Sequence, residues 1–197
     1  MSFVLGLTGS MGMGKTTTAR MFADEGCAVW DADDAVHRLY APGGDAVAPL
    51  ARDFPDAIVD GAISRQRLKD IIERDHRALD RIEAIVHPLV EADRRRFIES
   101  AQADIAVLDI PLLFETGQDS WMDAVVCVSA PPDIQRQRVL ARGSMSEPQV
   151  DAIIDRQMPD AEKRRQADYV VETDTLEHAR EQVHDIVTKL RGKMANA

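Results

Sequence analysis

Gly9-Ser10-Met11-Gly12-Met13-Gly14-Lys15-Thr16 is the stretch on which the fold of this chain turns. It matches G-x-x-x-x-G-K-[ST]. It also stands where that pattern has physical meaning, between the apolar run Phe3-Val4-Leu5-Gly6-Leu7-Thr8 and a helical pattern that starts at Thr16. Gly9, Gly12 and Gly14 permit backbone conformations that a Cβ forbids. The N–H groups from Gly12 through Met13 to Thr17 can then point inward at phosphate oxygens. The unpaired N–H groups and dipole of the following helix strengthen that field. Lys15 is expected to reach the β- and γ-phosphates, and the Thr16 hydroxyl to bind Mg²⁺. The stretch predicts a nucleoside triphosphate site and leaves the identity of the triphosphate to the rest of the chain.

Working outward, four more short apolar runs read as strands: Cys27-Ala28-Val29-Trp30, Ile105-Ala106-Val107-Leu108, Ala124-Val125-Val126-Cys127-Val128 and Tyr169-Val170-Val171. They alternate with helical patterns, which predicts an α/β fold of three layers: a five-stranded parallel sheet with helices on both faces. Gly26 stops the first helix and Ser64 caps one containing Leu68, Ile71 and Ile72. Leu79, Ile82, Val86, Val90 and Phe97 form a longer helical stripe that Pro88 should kink or interrupt. Residues 53–61 read as a loop or weak turn region around Pro55 and Asp60-Gly61, and 146–157 as a helix with Ser146 as its cap. Residues 175–191 read as a terminal helix with Leu176, Ala179, Val183, Ile186, Val187 and Leu190 inward, followed by a frayed tail after Gly192. Residues 61–100 hold more helix than a crossover needs, so they suggest a small substrate-binding lobe.

The 197 residues suit one domain, or one with an inserted subdomain. No apolar run approaches the roughly 20 residues of a membrane span, and the N-terminus lacks a basic region followed by a long apolar one. Cys27 and Cys127 have no metal spacing and read as buried thiols, so a cytoplasmic location is expected. A net charge of −10 argues against broad nucleic-acid binding and makes each cation near the phosphate site informative. The five histidines show no ligand spacing.

In such sheets ligands bind beyond the carboxyl ends of the strands. That rule gathers Asp31, Asp33 and Asp109 near the phosphate loop. Asp33 can accept or orient the proton of an attacking hydroxyl, or help hold Mg²⁺ through water; one of Asp31, Asp33 and Asp34 should simply cap the next helix. Asp109 could contact the metal through water or the acceptor, and residue type alone does not separate these. Arg138 and Arg142, spaced i, i+4, fit either a lid over the triphosphate or a solvated face, whereas Arg136 reads as solvated. His87 has no partner assigned by spacing.

With these residues in view, the chain resembles the dephospho-coenzyme A kinase family from end to end. The resemblance rests on the phosphate loop, Asp31-Ala32-Asp33, Asp60-Gly61 with Arg65 and Leu68, His87-Pro88, Asp109-Ile110-Pro111-Leu112-Leu113-Phe114-Glu115, the arginine helix, Arg156-Gln157 and Ala167-Asp168. It implies a P-loop kinase that uses ATP and Mg²⁺ to phosphorylate the ribose 3′-hydroxyl of dephospho-CoA, the last step to CoA. It implies Asp33 at that hydroxyl, Arg65, His87, Leu112, Leu113 and Glu115 on the acceptor side, and Arg138 and Arg142 in the lid. A single kinase domain follows, with a core of about 1–40, 101–130 and 167–192, a helical acceptor lobe of about 41–100 and a lid of about 136–160, expected to act as a monomer. Three places depart from the family pattern: Ser10 and Met13 stand where small residues are common, Phe54-Pro55 replaces Phe-Gly, and Thr173 follows the last strand where an Asn is usual. The rivals are a kinase of another small acceptor, such as a nucleotide or sugar acid, and a nucleotide-binding regulator without transfer. A GTPase switch is disfavoured because no Asn-Lys-x-Asp segment is present.

Overall fold

Strand β1 (Phe3–Thr8) lies at the centre of a five-stranded parallel sheet of order β2-β5-β1-β6-β7. The computed structural model describes residues 2–141, 143, 146–154 and 156–196. β5 (Ile105–Asp109) pairs with β1 on one side, Leu5 opposite Val107, and β6 (Ala124–Ser129) pairs on the other, Leu5 opposite Ala124. β7 (Tyr169–Glu172) follows β6 with Cys127 opposite Val170, and β2 is Ala28–Asp31. Every residue of β5 and β6 is buried, which explains why these strands read as unbroken apolar runs rather than alternating ones.

The chain forms two compact units, residues 1–29 with 101–197, and residues 30–100. In the first, α1 (Lys15–Asp24) and α9 (Leu176–Ala195) supply Met21, Phe22, Val183, Ile186, Val187 and Leu190 to a core with Leu5, Val107 and Val126. This unit also carries α6 (Pro132–Ala141), α7 (Glu147–Ile154) and α8 (Asp160–Gln166). The second unit has its own core, Leu39, Leu50, Phe54, Leu68, Ile82 and Val86. They come from α2 (Ala32–Tyr40), α3 (Val47–Asp53), α4 (Arg65–Arg74) and α5 (Arg77–Ser100), and from Phe54 at the end of α3.

Helix ends follow their local chemistry. Asp31 caps α2 by accepting from the N–H groups of Asp33 and Asp34, and Ser64 and Thr175 cap α4 and α9. Gln149 reaches back to the Ser146 N–H at 2.9 Å, the reciprocal half of a capping box at α7. Gly26 (φ 83°) ends α1, its N–H bonded to the Ala23 carbonyl.

Several expectations are corrected. Pro88 does not interrupt α5, which runs unbroken for 24 residues. A proline removes one helix bond, and the buried Ile82 and Val86 keep the helix on its core. The stretch 53–61 is not all loop or weak turn: its second half belongs to a hairpin of β3 (Ile58–Val59) and β4 (Ala62–Ile63). Its turn residues Asp60 (φ 50°) and Gly61 (φ 77°) both have positive φ, the geometry that Asp-Gly favours in a two-residue hairpin. Pro55 opens a short 3₁₀ turn, Pro55–Ala57. Leu176 is not inward but 65 % exposed, and Leu79 of the helical stripe is 41 % exposed. α9 passes through Gly192 to Ala195 rather than fraying there.

Candidate active site

The phosphate loop is shaped by hydrogen bonds within it and around it. Met13 N–H closes the turn onto the Ser10 carbonyl at 3.2 Å. Outside it, the Gln135 amide donates to the Met11 carbonyl at 2.8 Å, and the Met11 N–H donates to Gln157 Oε1 at 3.1 Å. Gly12 (φ 82°) has no alternative, because a Cβ there would stand 2.5 Å from Val139 Cγ2 and 2.9 Å from the Gln135 carbonyl oxygen. Gly14, left-handed at φ 92°, is the N-cap of α1 and offers no side-chain cap, so the first N–H groups of the helix stay available. Met13 is buried with its sulfur against the Ala130 N–H, and Thr16 and Thr17 are exposed. The Thr16 hydroxyl makes no hydrogen bond among the described residues.

Lys15 forms an ion pair with Asp109 at the end of β5; the Asp109 carboxylate is fully buried. Removing a carboxylate from water is costly unless a cation answers it, so the pair holds the lysine at the carboxyl end of the sheet. Next to the loop, Gly12, Gly14, Thr17, Met21, Arg138, Thr173, Leu176 and Ala179 line a cavity of about 370 Å³. Met21, Leu176 and Ala179 give the lining an apolar share, and the exposure of Leu176 belongs to this wall. Arg138 is half-buried and forked onto Thr173; Arg142 lies outside the described residues. Arg136 lies at the surface, its side chain 39 % exposed, and pairs there with Glu147 and Asp151 of α7.

The second unit holds a larger cavity, about 700 Å³. Asp33 from α2, Arg65 from α4 and His87 from α5 all line it, with Leu79, Ile82, Val86 and Val90 as an apolar wall. The exposed side of that stripe is therefore a cavity wall. Asp31 takes the capping role, so the Asp33 carboxylate is exposed and makes no hydrogen bond among the described residues. The Arg65 guanidinium sits over Tyr40, 5.9 Å from its ring centroid. Burial pushes the Tyr40 hydroxyl pKa up, and Arg65 only partly offsets this.

Residues 111–117 coil tightly after β5. Leu112 is exposed, Leu113 is fully buried against Gly6, and Glu115 turns to Lys163 at 2.8 Å. Burial would raise the Glu115 pKa, but the Lys163 ammonium and the Met158 N–H outweigh it and hold the carboxyl below its ordinary range. Sequence reasoning missed Lys163, Gln135 and the whole of α8. The signal for α8 was present, Pro159 followed by Asp160 and Glu162 and then by Lys163, Arg164 and Arg165.

The family model for dephospho-CoA kinase matches residues 3–178. The chain belongs to the dephospho-CoA kinase family. Among curated relatives, the dephospho-CoA kinase of Ruegeria pomeroyi is 64% identical over 191 residues, 97% of each chain, and that of Cereibacter sphaeroides is 56% identical over 96% of each. Among solved structures, TT1252 from Thermus thermophilus superposes with a TM-score of 0.84 at 32% identity, covering 95% of this chain and 97% of that one. The dephospho-CoA kinase of Campylobacter jejuni, at 21% identity and TM-score 0.72, covers 98% of this chain and 100% of its own, and shares the fold. The chain is thus a kinase, a transferase of CoA biosynthesis that phosphorylates dephospho-CoA at the expense of ATP.

Proposed function

We propose that the chain transfers the γ-phosphoryl group of ATP in line to the ribose 3′-hydroxyl of dephospho-CoA, with Asp33 at that hydroxyl. The observation that carries this reading is the convergence of Asp33, Arg65 and His87, from three different helices, on one cavity. In this reading the backbone from Gly9 through Gly12, Met13, Gly14 and Thr17 cradles the triphosphate. Lys15, Arg138 and Arg142 spread the charge of the transferring group. Asp33 orients or deprotonates the hydroxyl, a contribution of about 10²–10⁴-fold for a general base. Arg65 and His87 meet acceptor phosphate, and Leu112 and Glu115 border the acceptor side with Leu113 buried beneath as support.

The residues fit Mg²⁺, a hard cation that keeps most of its waters and takes few protein ligands alongside substrate phosphates. Thr16 offers an exposed, unengaged hydroxyl oxygen, and Asp109 would hold the ion only through water, its carboxylate being paired with Lys15. Bound there, the ion would neutralise charge on the phosphate oxygens. We assign the acceptor lobe to about 41–100 and the lid to about 136–160. We read the enzyme as a cytoplasmic monomer, a location in keeping with two buried cysteines that form no disulfide.

Steady-state assay tests the assignment. Asp33→Asn should lower kcat by roughly 100-fold or more while the ATP Kd stays within about threefold; near-normal turnover would remove Asp33 from the hydroxyl. Lys15→Ala should damage both quantities. Across a panel of nucleotide and sugar-acid acceptors, dephospho-CoA should have the highest kcat/KM.

A further inference from the structure

We infer that Thr173 is a positioning residue for the donor nucleotide: its hydroxyl fastens Arg138 to the phosphate loop. Thr173 is buried, and its side chain stands against Gly14, where a Cβ would lie 3.2 Å from its Oγ1. The hydroxyl donates to the Met13 carbonyl at 2.7 Å and accepts from Arg138 Nη1 at 2.8 Å. Arg138 Nη2 donates to the Thr173 carbonyl oxygen at 2.6 Å, completing a fork on a single residue. The Thr173 N–H is itself spent on the Ser129 carbonyl at 2.8 Å, which ties this peptide to the end of β6.

The hydrogen-bond inventory gives this arrangement its direction. A hydroxyl has one proton; of the two carbonyl oxygens in reach, Met13 at 2.7 Å is nearer than Ser129 at 3.3 Å, so the proton goes to the loop and the lone pairs are free to receive the guanidinium. A guanidinium carries five N–H donors in a fixed plane, and two are used here, so the others remain for a ligand in the cavity that Arg138 lines. Arg138 is thus ordered before any ligand arrives, and the rotamer freedom of a long side chain is lost on folding rather than on binding. The hydroxyl and carbonyl of Thr173, both engaged, are left with little capacity to read a base. Thr173 acts through Arg138, with the Met13 peptide as the anchor.

This inference rests on the assignment of Arg138 to the donor nucleotide, and the test separates the two. Thr173→Val keeps the shape and removes the hydroxyl; Thr173→Ala does so with less steric demand should the valine variant fold poorly; Thr173→Ser keeps it. The measurements are kcat/KM for ATP, KM for dephospho-CoA, and thermal midpoint. The loss of a hydrogen bond to a charged group should lower kcat/KM for ATP roughly tenfold in the valine or alanine variant, with the dephospho-CoA KM unmoved and the serine variant recovering most of the loss. In an Arg138→Ala background, Thr173→Val should add little, because the group it positions is gone. A wild-type kcat/KM for ATP in both hydroxyl-deleted variants, or effects that simply multiply in the double variant, would overturn the positioning role. Arg138→Ala with unchanged kcat/KM for ATP would instead overturn the assignment of Arg138 itself.

Discussion

Lys163 shows how much one residue can be asked to bear. Its side chain is 0 % exposed, and its ammonium lies 2.8 Å from the Glu115 carboxylate, which is 20 % exposed. A buried charge whose partner is removed typically costs about 3–5 kcal/mol. Glu115→Gln keeps the side-chain shape and the acceptor for the Met158 N–H but withdraws the counter-charge. We expect a loss near the lower end of that range, measured by urea denaturation at pH 7. The folded pKa of Glu115 lies below its ordinary value of 4.5, so the pair's contribution is full above that value and is lost as pH falls through the lowered one. The gap between wild type and Glu115→Gln should therefore shrink toward pH 3; a gap that stays constant would show that charge is not its source. The cysteines make a second residue-scale case. Burial pushes the Cys127 thiol up to about 12 and the Cys27 thiol up to about 11, so at neutral pH neither presents a thiolate. Iodoacetamide at pH 7.5 should leave the native protein unmodified by mass, and the urea-unfolded protein should take two labels.

At the scale of elements, glycines with the same sign of φ differ in what surrounds them. Gly61 (φ 77°), at the tip of the β3–β4 hairpin, has nothing within 4 Å of the place a Cβ would take, so Gly61→Ala should cost only the left-handed penalty of about 1–2 kcal/mol and leave kcat alone. Gly12→Ala faces the same penalty plus the Val139 methyl and the Gln135 carbonyl, and should lose ATP binding by thermal shift. Equal behaviour of the two variants would mean that α6 yields at that contact. The strands were legible because a strand buried on both faces is a continuous apolar run, as in Ile105–Asp109. The hairpin was not, because two-residue strands carry no period, and α8 was not, because its charges outnumber its apolar residues. Leu79 and Leu176 mislead for a different reason. Helical periodicity marks the apolar face of a helix, but that face can border a ligand cavity as readily as a core, and only the packed structure distinguishes them. Within the candidate site, the glycine-rich loop and the strand-end carboxylate we propose for the hydroxyl, Asp33, could be picked out from the sequence, whereas the Lys163–Glu115 and Thr173–Arg138 partners join positions far apart in the chain and leave no local spacing.

At the scale of the whole molecule, each cavity is lined by residues of one unit alone. The cavity beside the phosphate loop, to which we assign the donor, draws on Gly12 to Met21, Arg138, Ala141 and Thr173 to Ala179, all in the unit of residues 1–29 and 101–197. The larger cavity, to which we assign the acceptor, draws on Ala32 to Tyr40 and Arg65 to Val90, all in the unit of residues 30–100. Each unit also has a separate apolar core, so each has its own source of local stability. A ligand that binds a folded unit suppresses its openings by RT ln(1 + [L]/Kd), about 2.7 kcal/mol at 100 times Kd, and slows amide exchange in proportion. Hydrogen exchange followed by mass spectrometry should therefore divide cleanly. A non-hydrolysable ATP analogue with Mg²⁺ should protect residues 9–21, 135–141 and 173–179 most. Dephospho-CoA alone should protect residues 32–40 and 65–90 most. Lys15→Ala should abolish the first pattern and keep the second. Strong protection of 65–90 by the ATP analogue alone, matching that given by dephospho-CoA, would mean that the two cavities do not bind their ligands separately, and the division of labour between the units would fall.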